Sequence, residues 1–432
     1  MEVFWTLLQG FAALAFLVGV HEAGHMVAAK LFGMRVEKFS IGFPPKLFGF
    51  TKGETEYSLG LIPLGGFVKI SGMVDESFDT ANLDKEPEPW EFRAKPAWQR
   101  LIVMLGGIIV NVVTGVIIFI LLTYFVADLK VEADSIPYGL HADSLATASG
   151  FRDGDNLVSI NGKPVKYFDE LLERDFLSVG GTVTVIGEDK VQRDIIIGED
   201  LAYELRKHKG FAFPRRKFVV DSLIPYGKAE LAGVKPGDQF IKVGEKSVFF
   251  YHEVSKELSE YKEKAVGLTV VRGGDTLVLK SEVNENGHIQ VVMNDPFSYD
   301  TIPHSFGESI GIGTKTAFSV VIDNVIGFKR LFQGKEKVSE SVSGPVGIFS
   351  LFGGSFIKFW SLVGLLSMVL AFMNLLPIPA LDGGHVIFLL YEMITGRKPS
   401  DKFMEISIKI GFAILLTLIL FAVGNDIFRL FK

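Results

Sequence analysis

Long uncharged apolar segments constrain the fold of this chain more than any other feature of its sequence. Leu101 to Ala127 carries no charged residue over a length sufficient to cross the hydrocarbon core of a bilayer. Val3 to Val20, Phe359 to Leu376 and Ile410 to Gly424 with its flanks are further apolar segments. Inside lipid every backbone polar group must be bonded within the protein, so such segments are expected to form helices. The sequence therefore predicts a polytopic α-helical membrane protein with about four transmembrane helices.

The short loops between these segments indicate their orientation. Lysines and arginines concentrate between the first and second segments and between the third and fourth. Because cytoplasmic loops carry an excess of such residues, we expect both loops in the cytoplasm and the long region between the second and third segments outside it. The predicted regions are transmembrane helix 1 (1–31), a cytoplasmic loop (32–100), transmembrane helix 2 (101–127), two β-rich domains inserted between helices two and three (128–216 and 217–298), an amphipathic juxtamembrane segment (299–354), transmembrane helix 3 (355–395) and transmembrane helix 4 (403–432).

Charge and cysteine content exclude several classes of function. The net charge is -6 and no long basic run occurs, so we expect no nucleic-acid partner. The chain contains no cysteine, which excludes disulfides and cysteine-ligated metal sites. A metal in this protein must therefore be held by histidines and carboxylates.

A zinc-hydrolase motif lies at the cytoplasmic end of the first apolar segment. The motif is His21-Glu22-Ala23-Gly24-His25, and its histidines are one helical turn apart, so both imidazoles can face one metal ion. Glu22 projects beside them as a candidate general base. Ionisable side chains at membrane depth are costly, which leaves a purely structural role for these three as the weaker alternative. The sequence predicts one Zn²⁺ per chain, bound inside the membrane.

The polar region contains an internal repeat at an offset of 83 residues. Gly150 to Ile160 matches Gly233 to Val243, each with a glycine turn, a Gly-Asp turn and alternating apolar residues typical of a half-buried strand. Two small β-rich domains are expected, and they resemble PDZ domains, which bind extended peptides by adding a strand to a sheet edge. That resemblance implies peptide termini as partners. The alternatives are that the domains act as a size filter, or that these glycines only form hairpins.

Two other segments carry weaker signals. Tyr57 to Ile70 is apolar, β-prone and too short to span a bilayer, with Gly60, Gly65 and Gly66 as expected turns. It predicts a re-entrant, membrane-associated β-hairpin in which Gly65 and Gly66 bind substrate; a hairpin in an ordinary cytoplasmic domain is the alternative. Ser305 to Phe332 has charges at roughly helical spacing and predicts an amphipathic helix on the outer membrane surface.

The third metal ligand is expected from a segment far along the chain, because a catalytic zinc normally has three protein ligands. Asn374 to His385 follows the third apolar segment and contains two prolines at alternate positions, which cannot continue a regular helix. An unwound segment at this depth would bring Asp382 level with the two histidines, and His385 is the other candidate. A turn in which Asp382 only caps the next helix is the alternative.

These motifs together resemble the site-2 protease family of intramembrane zinc metalloproteases, in the bacterial branch that includes the regulator of sigma-E protease. The resemblance covers essentially the whole chain; it rests on the zinc motif, the Leu-Asp-Gly core around Asp382, the two PDZ-like domains and Ser343-Gly344-Pro345. It implies that Asp382 is the third zinc ligand and that Asn374, Pro377 and Pro379 contact the substrate helix. It also implies a multi-pass protein of the bacterial inner membrane, with the active site near the cytoplasmic face and the PDZ-like domains outside.

The predicted function is regulated intramembrane proteolysis of single-span membrane proteins, with anti-sigma factors or signal peptides as the substrate class that the resemblance implies. A zinc-activated water would attack the peptide carbonyl, with Glu22 as general base. A membrane zinc hydrolase of lipids or small amides and an inactive PDZ-bearing scaffold are the alternatives. Asn111, a polar residue inside the second segment, is expected to serve helix packing, with catalysis as the alternative. The acidic tract Ser71 to Pro89 is assigned to regulation.

Overall fold

The structure is a computed structural model that describes residues 2–73, 86–199, 201, 204–205, 210–334, 338 and 344–430. Most of the acidic tract, and Ser343, lie outside these residues. The chain divides into two compact units, of which one comprises Met1–Ala127 with Pro303–Lys432 and the other comprises Asp128–Ile302. The first unit is mainly helical, and the second contains most of the strands.

The helices and strands of the described residues have the following bounds. The helices are α1 (Glu2–Leu31), α2 (Ala97–Phe125), α3 (Ser144–Ala148), α4 (Arg174–Val179), α5 (Lys228–Leu231), α6 (Tyr251–Ser259), α7 (Phe306–Phe332), α8 (Pro345–Phe349), α9 (Phe356–Leu375), α10 (Asp382–Thr395) and α11 (Asp401–Leu430). The strands are β1 (Val36–Lys52), β2 (Thr55–Ile70), β3 (Asp128–Val131), β4 (Leu140–Ala142), β5 (Asn156–Ile160), β6 (Lys163–Pro164), β7 (Gly181–Ile186), β8 (Gln192–Ile197), β9 (Ala212–Pro214), β10 (Val220–Leu223), β11 (Gln239–Val243), β12 (Lys246–Ser247), β13 (Ala265–Arg272), β14 (Asp275–Glu282), β15 (Val291–Met293) and β16 (Tyr299–Ile302). Within the described ranges α1, α2, α9 and α11 are long and apolar enough to cross a membrane, which confirms the four predicted apolar helices.

Helix α2 lies at the centre of the helical unit, because α1, α7, α9 and α10 all pack against it. Its crossing with α1 is very close: a β carbon on Gly24 would lie 2.3 Å from the carbonyl oxygen of Gly106. On another side, the hydroxyl of Ser367 in α9 donates a 2.8 Å hydrogen bond to the buried carbonyl oxygen of Asn111. Small residues on α2 thus let its neighbours approach as closely as helix backbones permit, as is common in membrane bundles.

Strands β1 and β2 form a sheet that differs from the predicted hairpin. Residues Lys38 to Ile41 lie between two parts of β2, with Glu56 to Leu59 on one side and Gly66 to Lys69 on the other. The two parts of Tyr57 to Ile70 therefore do not pair with each other, and the prediction of a hairpin confined to that stretch is wrong. The reason is that Val36 to Phe43 is itself an alternating strand that inserts between them.

Helix α7 has the predicted bounds but a different position. Ser305 caps it by accepting a hydrogen bond from the backbone N–H of Glu308. A β carbon on Gly313 would lie 2.5 Å from the backbone nitrogen of Ile120 in α2. Near the C-terminal end of α7, the ring of Phe328 packs against Phe372 of α9, with the ring centres 5.5 Å apart. The helix thus packs along α2 and α9 rather than lying on an outer surface. Its buried residues explain this, because they are small and four apart: Ser309, Gly313 and Ala317.

The second unit consists of two β-rich halves that reproduce the sequence repeat. Their four-stranded sheets have the same strand order, β6-β5-β7-β8 and β12-β11-β13-β14. The register shifts between Leu157 and Ser159 in the first sheet and between Phe240 and Lys242, 83 residues later, in the second. β16 returns to pair with β3, so residues 299–302 belong to this unit and not to the juxtamembrane segment.

A buried aspartate in each Gly-Asp turn is paired with an arginine of its own half. Asp155 pairs with Arg193, and Asp238, which is fully buried, accepts hydrogen bonds of 2.6 and 2.7 Å from Arg272. Burial raises the pKa of Asp238, but the Arg272 guanidinium and the backbone N–H of Lys235 lower it further, so the net pKa lies below its usual value. The carboxylate thus stabilises the turn only while it is ionised.

Asp238→Asn should destabilise the second half by about 2–3 kcal/mol at neutral pH, because Arg272 loses its charged acceptor. This deficit should shrink as the pH falls below about 4, where protonation removes the same stabilisation from the unmodified protein. Hydrogen exchange of the β11 and β13 amides in the full chain measures it. Asp275→Asn, at the exposed first position of β14, is the control. Equal protection of all three proteins at pH 7 would contradict the assignment.

Candidate metal centre

The two histidines of the zinc motif lie on one face of α1 and are buried against α2. His21 and His25 are each 8% exposed, and their Nε2 atoms are 3.3 Å apart. Nδ1 of His25 lies 2.8 Å from the carbonyl oxygen of Val103, an acceptor that requires the ring proton on Nδ1. Nε2 of His25 therefore presents its lone pair toward His21.

A break between α9 and α10 positions the start of α10. Residues 376–381 are not helical, and Ala380 has φ of 117°, a conformation that L-residues rarely adopt. β carbons on Gly383 and Gly384 would lie 2.2 and 2.6 Å from carbonyl oxygens of this segment. The glycines thus allow the first turn of α10 to fold tightly onto the break, which fixes where Asp382 lies.

Asp382 reaches the two histidines across the bundle. Its Oδ2 atom lies 3.2 Å from Nε2 of His21 and 3.3 Å from Nε2 of His25. This oxygen is buried and accepts no hydrogen bond from the described part of the chain. The residue at the N-cap position of α10 is Leu381, and no side-chain cap is present there. The Asp382 side chain is therefore placed as a metal ligand would be, and not as a helix cap.

The donor set fits zinc. Ligand atoms around a tetrahedral zinc, with bonds of about 2.0–2.2 Å, are roughly 3.3–3.5 Å apart. The three separations among Nε2 of His21, Nε2 of His25 and Oδ2 of Asp382 are 3.3, 3.2 and 3.3 Å. Two imidazoles and one carboxylate also leave a fourth position for water. Within the described chain His385, the other sequence candidate, does not belong to this group.

Glu22 lies beside the three donor groups and next to the sheet. A β carbon on Gly66 would lie 3.4 Å from Cγ of Glu22 and 2.6 Å from Cγ1 of Val18, so β2 passes directly over this part of α1. The backbone of Val68 hydrogen-bonds the Glu22 carboxylate. The sheet thus holds the carboxylate of Glu22 beside the three donor atoms. Gly66, one of the two glycines predicted to bind substrate, lies at this point of β2.

Two amides and a glycine complete the site. The Asn111 side chain lies 3.1 Å from Nδ1 of His21, and Nδ2 of Asn374 lies 3.1 Å from Nε2 of the same ring. A β carbon on Gly107 would lie 2.5 Å from both Cε1 of His21 and Nε2 of His25. Sequence reasoning assigned Asn111 to packing and did not consider Gly107. The run Gly106-Gly107 before a polar residue in a span was the signal that could have indicated both.

The other residues predicted to contact substrate are Pro377, Pro379 and Gly65. Pro377 is exposed in the break after α9, and the carbonyl oxygen of Pro379 lies 1.1 Å from where a β carbon of Gly411 would be. α11 therefore touches the break. A β carbon on Gly65 would lie 2.4 Å from the ring of Phe43, so this glycine packs within the sheet. The structure brings Gly66 to Glu22 and Asn374 to His21, but gives no such contact for Pro377 or Gly65.

Comparison with known proteins identifies the family. Residues 9–418 match the family model for peptidase family M50. A Fusobacterium nucleatum protein named "Putative zinc metalloprotease" is 30% identical over 99% of this chain and 100% of its own length. The "Regulator of sigma E protease" of Haemophilus influenzae is 26% identical over the full length of both chains. The chain therefore belongs to peptidase family M50, the site-2 protease family, and is a multi-pass membrane zinc metalloprotease, as the sequence predicted.

Gly107→Ala should reduce bound zinc from one ion per chain to a small fraction, because the added methyl group would occupy the space between the two imidazole rings. Gly424→Ala is the matched control, since this glycine lies in a membrane helix with open space around its α carbon. Metal analysis of the purified proteins measures the effect. Full zinc occupancy in Gly107→Ala would contradict the position of the metal.

Proposed function

We propose that this M50 family member is an intramembrane endopeptidase that cuts single-span membrane proteins near the cytoplasmic face of a bacterial inner membrane. The observation that carries the proposal is the triangle formed by His21, His25 and Asp382 inside a bundle of apolar helices, with Glu22 beside it. A hydrolytic site inside a bundle of apolar helices is more accessible to membrane-embedded substrates than to soluble proteins. The name of the Haemophilus influenzae relative favours regulatory substrates such as anti-sigma factors over signal peptides.

The residues of the site divide the chemistry among them. Zinc held by the two histidines and Asp382 would supply a Lewis acid that polarises a peptide carbonyl and acidifies water. Glu22 takes a proton from the water whose oxygen attacks the carbonyl carbon. Glu22 then donates this proton to the leaving nitrogen as the C–N bond breaks, which balances the reaction. The hydrogen bond from Val68 keeps the carboxylate aimed at the site during both transfers.

A helical substrate must be unwound before it can be cut, because its carbonyl groups are bonded within the helix. Gly66 to Lys69 pair with β1 on one side, and no other described strand pairs with β2. An extended substrate segment can therefore add to β2 beside Glu22, as peptides add to exposed sheet edges. The amide of Asn374, next to His21, is placed to hold the substrate backbone, and Pro377 and Pro379 keep the surrounding segment from becoming helical.

Asn111 is proposed to orient His21. If Nε2 of His21 binds the metal, its proton is on Nδ1 and needs an acceptor. The oxygen Oδ1 of Asn111 is buried without a hydrogen-bond partner, while its nitrogen faces Nδ1. Rotating this amide by half a turn brings Oδ1 to Nδ1 of His21, where it accepts that proton. Asn111 is thus a positioning residue that acts through His21.

The β-rich unit is proposed to lie outside the cytoplasm. It is inserted between α2 and α7, and the basic loops 32–100 and 396–400 would then lie in the cytoplasm. The two halves share the PDZ-like pattern of the sequence, which favours binding of extended peptide termini or exclusion of bulky substrate domains. Exposed apolar side chains of the β1–β2 sheet, among them Phe43, Phe48 and Leu61, suit contact with lipid.

Glu22→Gln should abolish cleavage of a single-span test substrate while zinc stays near one ion per chain, because the amide cannot accept the proton of water. Glu405→Gln, an exposed position on α11, is the control and should cleave normally. Gel analysis with mass spectrometry of the products measures both. Undiminished cleavage by Glu22→Gln would contradict the role of Glu22, and hydrolysis of lipid alone would contradict the peptidase assignment.

Asn111→Leu should weaken zinc binding roughly 10- to 100-fold, which is usual when a hydrogen bond to a metal-bound histidine is lost. Asn111→Asp keeps an oxygen for Nδ1 of His21 and should bind zinc nearly as well as the unmodified protein. Competition with a chelator of known affinity measures this. If the Asp and Leu variants lose zinc equally, Asn111 does not accept from His21.

A further inference from the structure

A second group of potential metal ligands lies in the β-rich unit, far along the chain from the zinc motif. His141 is in β4, Asp153 is in the turn before β5, and His252 is near the start of α6. The first two belong to one half of the repeat and the third to the other half. Each offers a ligand atom, and these atoms all lie within 4.8 Å of one another.

The carboxylate of Asp153 lies beside the two imidazoles, with one oxygen near a nitrogen of each ring. Its Oδ1 atom is 2.8 Å from Nδ1 of His141 and accepts a hydrogen bond from the backbone N–H of Ala142 at 2.8 Å. Its Oδ2 atom lies 3.5 Å from Nε2 of His252, which is beyond a good hydrogen bond. The N–H of Ala142 holds the Asp153 carboxylate in place. Its Oδ2 atom therefore points toward His252 but does not form a good hydrogen bond with it.

The surroundings restrict how the histidines can move. The ring of His252 stacks on Phe250 with an interplanar angle of 8°. The guanidinium carbon of Arg215 lies 3.8 Å from the centre of the Phe250 ring. The rings of His141 and His252 stack at 3.8 Å with an angle of 9°. The side chains are 21–46% exposed, so water can complete a coordination shell. The lone pairs of parallel stacked rings do not converge, so one of the two rings must turn about its side-chain bonds before both can bind the same ion.

We propose that His141, Asp153 and His252 form a second divalent-metal site that joins the two β-rich halves. Two imidazoles and one carboxylate suit zinc and the neighbouring ions Co²⁺, Ni²⁺ and Cu²⁺ rather than Mg²⁺ or Ca²⁺, which prefer oxygen ligands. The donor separations of 2.8 and 3.5 Å bracket the roughly 3.3 Å expected around a tetrahedral ion. Because the ligands come from both halves, the bound ion links β4 to α6 and restricts their relative motion.

The test uses the full chain in detergent, stripped with a chelator and then titrated with Zn²⁺ or Co²⁺. At saturating metal the unmodified protein should bind two ions per chain, the one at the zinc motif and a second, weaker one at His141, Asp153 and His252. His141→Ala and His252→Ala should bind one, whereas His288→Ala, an exposed histidine of the second half outside the group, should still bind two. Equal stoichiometry in all four proteins would overturn the proposal, whether the common value is one ion or two.

Hydrogen exchange gives a second readout that does not require the variants to fold. In the unmodified protein Zn²⁺ should slow exchange of the amides around His141 and His252 at least several-fold, since a ligand that binds only the closed arrangement stabilises it by mass action. Zinc that leaves these amides unchanged would overturn the proposal independently of the stoichiometry. His21, His25 and Asp382 belong to the other unit of the chain.

Discussion

The structure depends on holding two imidazoles and a carboxylate together inside a bundle of apolar helices. Such groups are costly at membrane depth unless they are paired or bind a metal. His21, His25 and Asp382 approach within 3.2–3.3 Å of one another, and an oxygen of Asp382 is left without a hydrogen-bond donor in the described chain. A cation at this point resolves both problems, because it accepts all three lone pairs and neutralises the carboxylate.

The central position of α2 follows from this requirement. Its glycines at the crossing with α1 allow the helix backbone to lie against the motif, and Gly107 leaves the space that the metal needs. α10, which begins with Asp382, is tied to α2 by the pair of Arg100 with Glu392 at 2.5 Å. The sheet then closes the remaining side, since Val68 bonds to Glu22. α1 and α10 are therefore fixed on α2 by contacts outside the site, and the sheet is held by its hydrogen bond to Glu22.

Much of the site could be predicted from the sequence because its signals are local. The histidine spacing, the apolar segments and the turn pattern within each copy of the repeat depend on residues close in the chain. What could not be predicted depends on partners far apart. Nothing in the sequence around Phe39 indicates that this residue pairs with both Tyr57 and Val68. The small residues through which α7 packs against α2 can be recognised only when the neighbouring helix is known. The contact between Asn111 and His21 could not be predicted for the same reason.

The most direct test of the account is to change the third ligand and observe the metal. The chain has no cysteine, so Asp382→Cys would place one thiolate in the whole protein. X-ray absorption at the zinc edge should then show one sulfur at about 2.3 Å, where the unmodified protein shows only nitrogen and oxygen ligands at about 2.0–2.2 Å. Zinc that stays bound without a sulfur neighbour would show that Asp382 is not a ligand and would contradict the account.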